Sequence, residues 1–174
     1  TVQNIIDIAK KHLKEGDAYF AKKKYGDAVE KYSLVVNKLD TKLTDENRSM
    51  VRDFRAEVVK RCDTAYAMMY KTEMEKIDAK LKSKNEADES FLNKIIGKYG
   101  DLLKEMKKEI PADYFGENVK RLESAIYNTI DSCYVAICGL HEKLGDAACG
   151  DYSFDKGYDE YSRALATAQK IRGG

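Results

Sequence analysis

Proline is almost absent from this chain, which holds Pro111 and no other proline in its 174 residues. Since a proline inside a helix costs about 3 kcal/mol, its scarcity favours long helices. Long apolar runs are also missing, and no stretch reaches the roughly 18 residues that a membrane-spanning helix needs.

The chain also lacks an excess of charge of either sign, because it has 31 basic and 30 acidic side chains and a formal net charge of +1. A broad positive field for nucleic acid or anionic lipid is therefore excluded, and we expect neither as a partner.

Signatures of catalysis are scarce as well. The chain has only two histidines, so the commonest general base is nearly missing. It has no Gly-x-Ser-x-Gly elbow and no His-Glu-x-x-His pair. Gly97, Gly100 and Gly116 lack the spacing and the preceding strand of a phosphate-binding loop. The sequence predicts a non-enzymatic protein with no catalytic residue and no cofactor.

The composition is typical of a well-solvated helical protein. Charged residues make up 35% of the chain and hydrophobic residues 43%, so disorder is not expected. A chain of this length buries roughly 70% of its unfolded surface, which predicts one all-α domain over residues 1–174, either whole or part of a longer chain. No secretory leader is visible, so we expect a cytoplasmic protein, with an exported protein that has lost its leader as the alternative.

The four cysteines are Cys62, Cys133, Cys138 and Cys149, and their spacings match no zinc-finger or thioredoxin pattern. We expect free, half-buried thiols and no metal site. One alternative stays open: Cys138 and His141 lie one helical turn apart and Cys149 follows, so the three could bind zinc in a helical bundle. In an exported protein, a disulfide that involves Cys149 is a further alternative.

Apolar residues recur at helical spacing in six segments, and no segment has the alternation of a strand. The segments are residues 2–22, 25–39, 45–81, 91–106, 116–144 and 154–168. The third is much longer than an ordinary globular helix. Pro111 ends the fourth, and Gly97 and Gly100 inside it predict close helix packing there. The glycines at 145 and 150 predict that the fifth helix stops near residue 144.

The first two segments carry a pattern of small and aromatic residues, with Gly16 and Tyr19 on the first helix and Tyr25, Ala28 and Tyr32 on the second. This stretch resembles a tetratricopeptide repeat, a helical hairpin that stacks with others into a scaffold. The resemblance implies a protein that holds other proteins and does no chemistry itself.

The end of the chain repeats the pattern more weakly. Gly145, Phe154, Gly157, Tyr161 and Ala164 fall at the offsets of Gly16, Tyr25, Ala28, Tyr32 and Val35, and His141 matches His12. We therefore predict an all-α fold of about six helices in antiparallel hairpins. The tetratricopeptide-like hairpins would lie at residues 4–40 and 118–171, in a superhelical array or bundle with one long central helix.

The resemblance also implies where a partner binds. Tetratricopeptide proteins hold a peptide or a helix in a groove lined by the first helix of each hairpin. Co-chaperones of the family grip a terminal carboxylate there with a Lys and an Asn. This chain has Leu13 and Asp17 at those places, so a carboxylate would meet a carboxylate and be repelled. We expect instead an apolar contact at Leu13 and Phe20, beside Asp17 and bordered by Lys10 and Lys14, unless residues 46–82 already fill the groove.

Two other interpretations stay open. Residues 4–70 are similar in length and aromatic content to a microtubule-interacting and trafficking domain, a three-helix bundle that binds short helical tails. The chain could also be a structural piece of a longer solenoid. The prediction is a non-catalytic protein–protein interaction scaffold or adaptor with a protein or peptide partner, and its oligomeric state is open.

Overall fold

The structure is a computed structural model that describes residues 1–172, and every regular element within them is helical. The helices of this described part are α1 (Val2–Ala21), α2 (Tyr25–Lys42), α3 (Asp45–Met50), α4 (Arg52–Lys82), α5 (Glu89–Glu109), α6 (Glu117–Gly150) and α7 (Phe154–Ala168). A short 3-10 helix, Ala112–Tyr114, lies between α5 and α6. The all-α prediction is confirmed. Across residues 1–172, none of the helices has the length and apolar character to cross a bilayer.

Three details differ from the sequence prediction. The long third segment is divided at the buried Val51 into the short α3 and the long α4. The helix predicted to stop near residue 144 continues to Gly150, because Gly145 provides room for the Tyr161 ring and does not end the helix. The close packing predicted at Gly97 and Gly100 is wrong, since a Cβ placed at either would meet no atom within 4 Å.

The chain divides into two compact units, and the single-domain prediction remains a prediction. Unit 1 comprises Thr1–Glu73 and Met106–Leu122. Its core lies among α1, α2 and the unit-1 part of α4. The fully buried apolar residues at its centre are Ala9, Ala28, Val35, Leu39, Val58, Cys62 and Ala65. They recur one or two helical turns apart, as expected for the inward faces of packed helices.

A buried carboxylate in unit 1 caps the start of α6. Asp63 of α4 is only 6% exposed, and its two oxygens accept hydrogen bonds from the backbone N–H groups of Asn118 and Val119, both at 3.0 Å. The Asn118 side chain donates a third bond at 2.9 Å. A Cβ at Gly116 would lie 2.6 Å from the Asp63 Cγ, so only glycine leaves room for this approach. The carboxylate also complements the positive end of the α6 dipole.

Unit 2 comprises Met74–Glu105 and the chain from Glu123 onward. Its core is formed by α5, α6 and α7, with Ile95, Tyr99, Ile126, Cys133 and Ile137 buried. The Tyr99 hydroxyl donates a hydrogen bond to Asp78 of the same unit, so the polar end of this buried ring is satisfied.

The cysteines divide into two classes by burial. All four are free; Cys62 and Cys133 are buried, while Cys138 and Cys149 are half-buried. Burial raises the pKa of the Cys62 thiol to about 12 and also raises that of Cys133. We expect Cys62 and Cys133 to react with Ellman's reagent at pH 8 only after unfolding, because the thiolate is the nucleophile. Release of thionitrobenzoate before and after guanidinium addition measures this, and four cysteines that react equally fast in the folded protein would contradict it.

Candidate interaction surfaces

The α1–α2 hairpin and the α6–α7 hairpin share one turn geometry. Lys23 and Tyr152 occupy the left-handed region at φ 58 and 60, although neither is glycine. The next residue closes each turn in the same way: Lys24 N donates to the Tyr19 carbonyl at 3.0 Å, and Ser153 N donates to the Ala148 carbonyl at 2.8 Å. The two turns correspond residue by residue under the sequence offset that relates Gly16 to Gly145.

In both hairpins a glycine of the first helix packs against a tyrosine ring of the second. A Cβ at Gly16 would lie 2.6 Å from the Tyr32 ring, and one at Gly145 would lie 2.8 Å from the Tyr161 ring. Each tyrosine hydroxyl then donates to the aspartate that follows the glycine, Tyr32 to Asp17 at 2.8 Å and Tyr161 to Asp146 at 2.5 Å. A glycine, an aspartate and a tyrosine thus form the same contact twice. The sequence identified the glycine and tyrosine positions but not this use of the aspartates.

The five predicted groove residues all lie along α1 but differ in their surroundings. Lys10 and Lys14 are exposed, and Leu13, Asp17 and Phe20 are half-buried. Their spacing places them on one face of the helix. Phe20 packs edge-to-face on Tyr25 with ring centroids 5.3 Å apart.

Asp17 is already paired within unit 1. Arg61 of α4 makes an ion pair with both of its oxygens, in addition to the bond from Tyr32. The hydrogen bond to Asp17 raises the pKa of Arg61, while burial and then the bond to Asp17 raise that of Tyr32. Sequence reasoning missed Arg61, since nothing in the local pattern of α4 links it to α1.

A surface cavity of about 180 Å³ opens at this point. It is lined by Asp17, Phe20, Tyr32, Arg61 and Thr64. The structure therefore brings Asp17 and Phe20 together with α4, and it leaves Lys10, Leu13 and Lys14 outside the lining. The chain's own α4 borders this cavity beside Asp17, while Lys10 and Lys14 are exposed.

The second hairpin carries an exposed apolar face. We call Phe154, Tyr158, Tyr161 and Leu165 the α7 stripe; they follow one another at three- and four-residue spacing, and all are exposed. The sequence alone predicts that Tyr158 and Tyr161 are packing residues with a solvated hydroxyl. This prediction is wrong for Tyr158, which is 74% exposed. Periodicity identifies an apolar stripe but not whether another helix covers it.

The proposed zinc ligands do not converge. His141 Nδ1 lies 2.6 Å from Glu160 and Nε2 lies 3.0 Å from Glu89, so carboxylates already engage both ring nitrogens. Cys138 Sγ lies 3.4 Å from the Ala164 carbonyl. Among residues 1–172, no group of three or more His, Cys, Asp or Glu side chains is placed to hold a metal ion. The buried His141 instead joins α5, α6 and α7 within unit 2.

No protein-family model, no curated protein and no solved structure matches this chain. Its function is therefore inferred from the two hairpins, the pairing of Asp17 and the exposed surfaces.

Proposed function

We propose that this chain is a non-catalytic protein–protein interaction scaffold built from tetratricopeptide-like hairpins. The observation that carries the proposal is the repeated contact of glycine, aspartate and tyrosine, together with the repeated left-handed turn. Hairpins that recur with the same internal geometry are typical of helical-repeat proteins, whose stacked helices present extended binding surfaces.

The proposed contact surface on α1 consists of Lys10, Leu13 and Lys14, with Phe20 at its end. Because Arg61 already neutralises Asp17, the charge that this face offers to a partner comes from the two exposed lysines. A partner segment with an apolar side chain for Leu13 and acidic residues beside it would complement the surface. Such a contact needs no catalytic group and no cofactor.

Charge reversal on α1 tests this surface. We expect Lys10→Glu combined with Lys14→Glu to weaken partner binding at least about tenfold, which corresponds to about 1.4 kcal/mol. The matched control is Lys11→Glu combined with Lys22→Glu, which makes the same charge change at exposed positions of α1 and its C-cap off this face. Proteins captured from native cell extract are identified by mass spectrometry, and the dissociation constant of the captured partner is measured for each variant. Equal affinities for both pairs, or no captured partner, would contradict the proposal.

A second candidate function is that of a three-helix, trafficking-type peptide-binding domain. The observation in its favour is that α4 is fixed to both helices of the first hairpin, through Arg61 to Asp17 and through Arg55 to Asp40 at 2.6 Å. The three helices α1, α2 and α4 therefore form one bundle within unit 1. Here the partner would be a short helical tail, and its binding would withstand every substitution in unit 2.

A further inference from the structure

The two hairpins differ in whether their outer stripe is covered. The positions in α2 that correspond to Tyr158 and Leu165 are Val29 and Val36. Val29 and Val36 are 8% and 3% exposed, whereas Tyr158 and Leu165 are 74% and 63% exposed. Equivalent faces of the same repeated hairpin are thus buried in one copy and open in the other.

In unit 1 we attribute this burial to α4, which packs beside α2. Its Val58 and Cys62 are fully buried, and Met69 lies beside α2, with its sulfur 3.9 Å from a Cβ placed at Gly26. Arg61 lies between Val58 and Cys62 in sequence and reaches across to Asp17. The covering helix therefore supplies two things, an apolar face for the stripe and one arginine for the aspartate.

The second hairpin lacks the corresponding arginine. Asp146, the counterpart of Asp17, is exposed, and within residues 1–172 its one hydrogen bond comes from the Tyr161 hydroxyl. The bond to Asp146, together with burial, raises the pKa of Tyr161 to about 12. Within residues 1–172, Asp146 therefore has no cation partner, and it lies beside the exposed α7 stripe. In the first hairpin, Arg61 pairs with the equivalent carboxylate, and its helix α4 packs beside α2.

We propose that the α7 stripe and Asp146 form a docking site for an amphipathic helix of a partner protein, which places apolar side chains on the stripe and an arginine on Asp146. This inference deepens the proposed scaffold function and rests on it, but it concerns a different surface from the lysines of α1. The partner helix would repeat the arrangement of α4, with the arginine flanked by apolar residues three before and one after it. Burying the stripe and pairing the carboxylate together provide both affinity and register.

Two other occupants fit less well. A second copy that presented its own α7 stripe would bring a second Asp146 to the interface, and the arginine of α7, Arg163, lies on another face of the helix. An anionic membrane would meet the exposed acidic residues Asp151, Asp155 and Asp159 around the stripe. A basic, amphipathic protein helix matches both the apolar and the acidic parts.

The test is a helical-peptide selection against the full chain. The display library uses residues 52–73 of this chain as its template, with positions 58, 61, 62, 65 and 69 randomised. The targets are the wild-type chain and Asp146→Arg. Against the wild type we expect arginine at position 61 to be enriched at least tenfold over glutamate, and against Asp146→Arg we expect the preference to reverse.

Variants of the full chain then locate the binding site. We expect Tyr158→Asp combined with Leu165→Asp to weaken the selected wild-type binders at least tenfold, while Met50→Asp, a similarly exposed apolar position in unit 1, leaves them unchanged. Circular dichroism of each variant checks that the fold is retained. Binders with no charge preference at position 61, binders insensitive to the α7 changes, or no binders would overturn the inference.

The same measurements separate this inference from the proposed function. If the selected peptides no longer bind after charge reversal of Lys10 and Lys14 but still bind after the α7 substitutions, the α7 site is wrong. The proposed interaction function would then still stand. Light scattering tests whether the wild-type chain self-associates through the α7 stripe. Self-association that Tyr158→Asp abolishes would show that a second copy covers the stripe, and would also overturn the inference. The proposed function itself fails when native extract yields no partner for the wild-type chain.

Discussion

Replacing Asp63 by alanine is expected to lower the free energy of unfolding by about 3 kcal/mol. The carboxylate accepts three hydrogen bonds, two of them from backbone N–H groups at the start of α6, and Val119 is fully buried. Each donor left unsatisfied in a buried place costs about 1–3 kcal/mol, and loss of a helix cap alone costs about 0.5–2 kcal/mol. Urea denaturation followed by circular dichroism measures the change.

Two matched variants show that the cap is the cause. Asp63→Asn keeps one carbonyl acceptor in a side chain of nearly the same shape, so it should lower the free energy of unfolding less than Asp63→Ala does. Asp53→Ala lies in the first turn of the same helix at an exposed position and should change stability by at most about 0.5 kcal/mol. Equal losses at Asp63 and Asp53 would show that the bonds to Asn118 and Val119 contribute nothing.

Replacing Gly16 by alanine is expected to destabilise the protein by about 2–3 kcal/mol, as overpacking of a filled core does. The new Cβ would lie 2.6 Å from the Tyr32 ring, which is 2% exposed and tied by its hydroxyl to Asp17. The ring cannot move away without breaking that bond or disturbing the core around it. Thermal and urea unfolding of the variant measure the loss.

The same substitution at other glycines should give different results. Gly145→Ala meets the Tyr161 ring at 2.8 Å, but this ring is 41% exposed and can shift toward solvent, so we expect a loss of about 1 kcal/mol or less. Gly139 lies inside α6 with no atom within 4 Å of its would-be Cβ, and its replacement should stabilise the helix by about 0.5–1 kcal/mol. If Gly139→Ala lowered the free energy of unfolding as much as Gly16→Ala does, the cause would be the change in the backbone and not contact with the Tyr32 ring.

Much of the fold follows from local sequence patterns. Helical periodicity and the scarcity of proline predict the helices, and the small and aromatic residues between Gly16 and Tyr32 predict the first hairpin. These features depend on residues within one or two helices, where the pattern of side chains is enough to specify which faces meet. The repeat of the pattern at Gly145 and Tyr161 follows for the same reason.

Other features depend on residues far apart in the chain. Asp63 caps a helix more than fifty residues later, and Arg61 pairs with Asp17 across 44 residues, so neither contact has a local signature. The helix α6 continues past Gly145 despite the low helix propensity of glycine, and the missing Cβ leaves room for the distant Tyr161 ring. The exposure of Tyr158 could not be predicted either, since Val29 and Val36 of α2 have the same spacing as Tyr158 and Leu165 of α7 and yet are buried.

The carboxylate of Asp17 has a consequence for the order in which parts of the molecule open. It binds Tyr32 of its own hairpin and Arg61 of the covering helix at once, so the hairpin cannot separate without loosening the hold on α4. We therefore expect the α1–α2 hairpin and α4 to open together as one cooperative unit. Their backbone amide protons should exchange late in a hydrogen-exchange experiment. Within residues 1–172 the corresponding Asp146 accepts its one hydrogen bond from Tyr161, and the second hairpin is joined to its third helix, α5, through His141 instead.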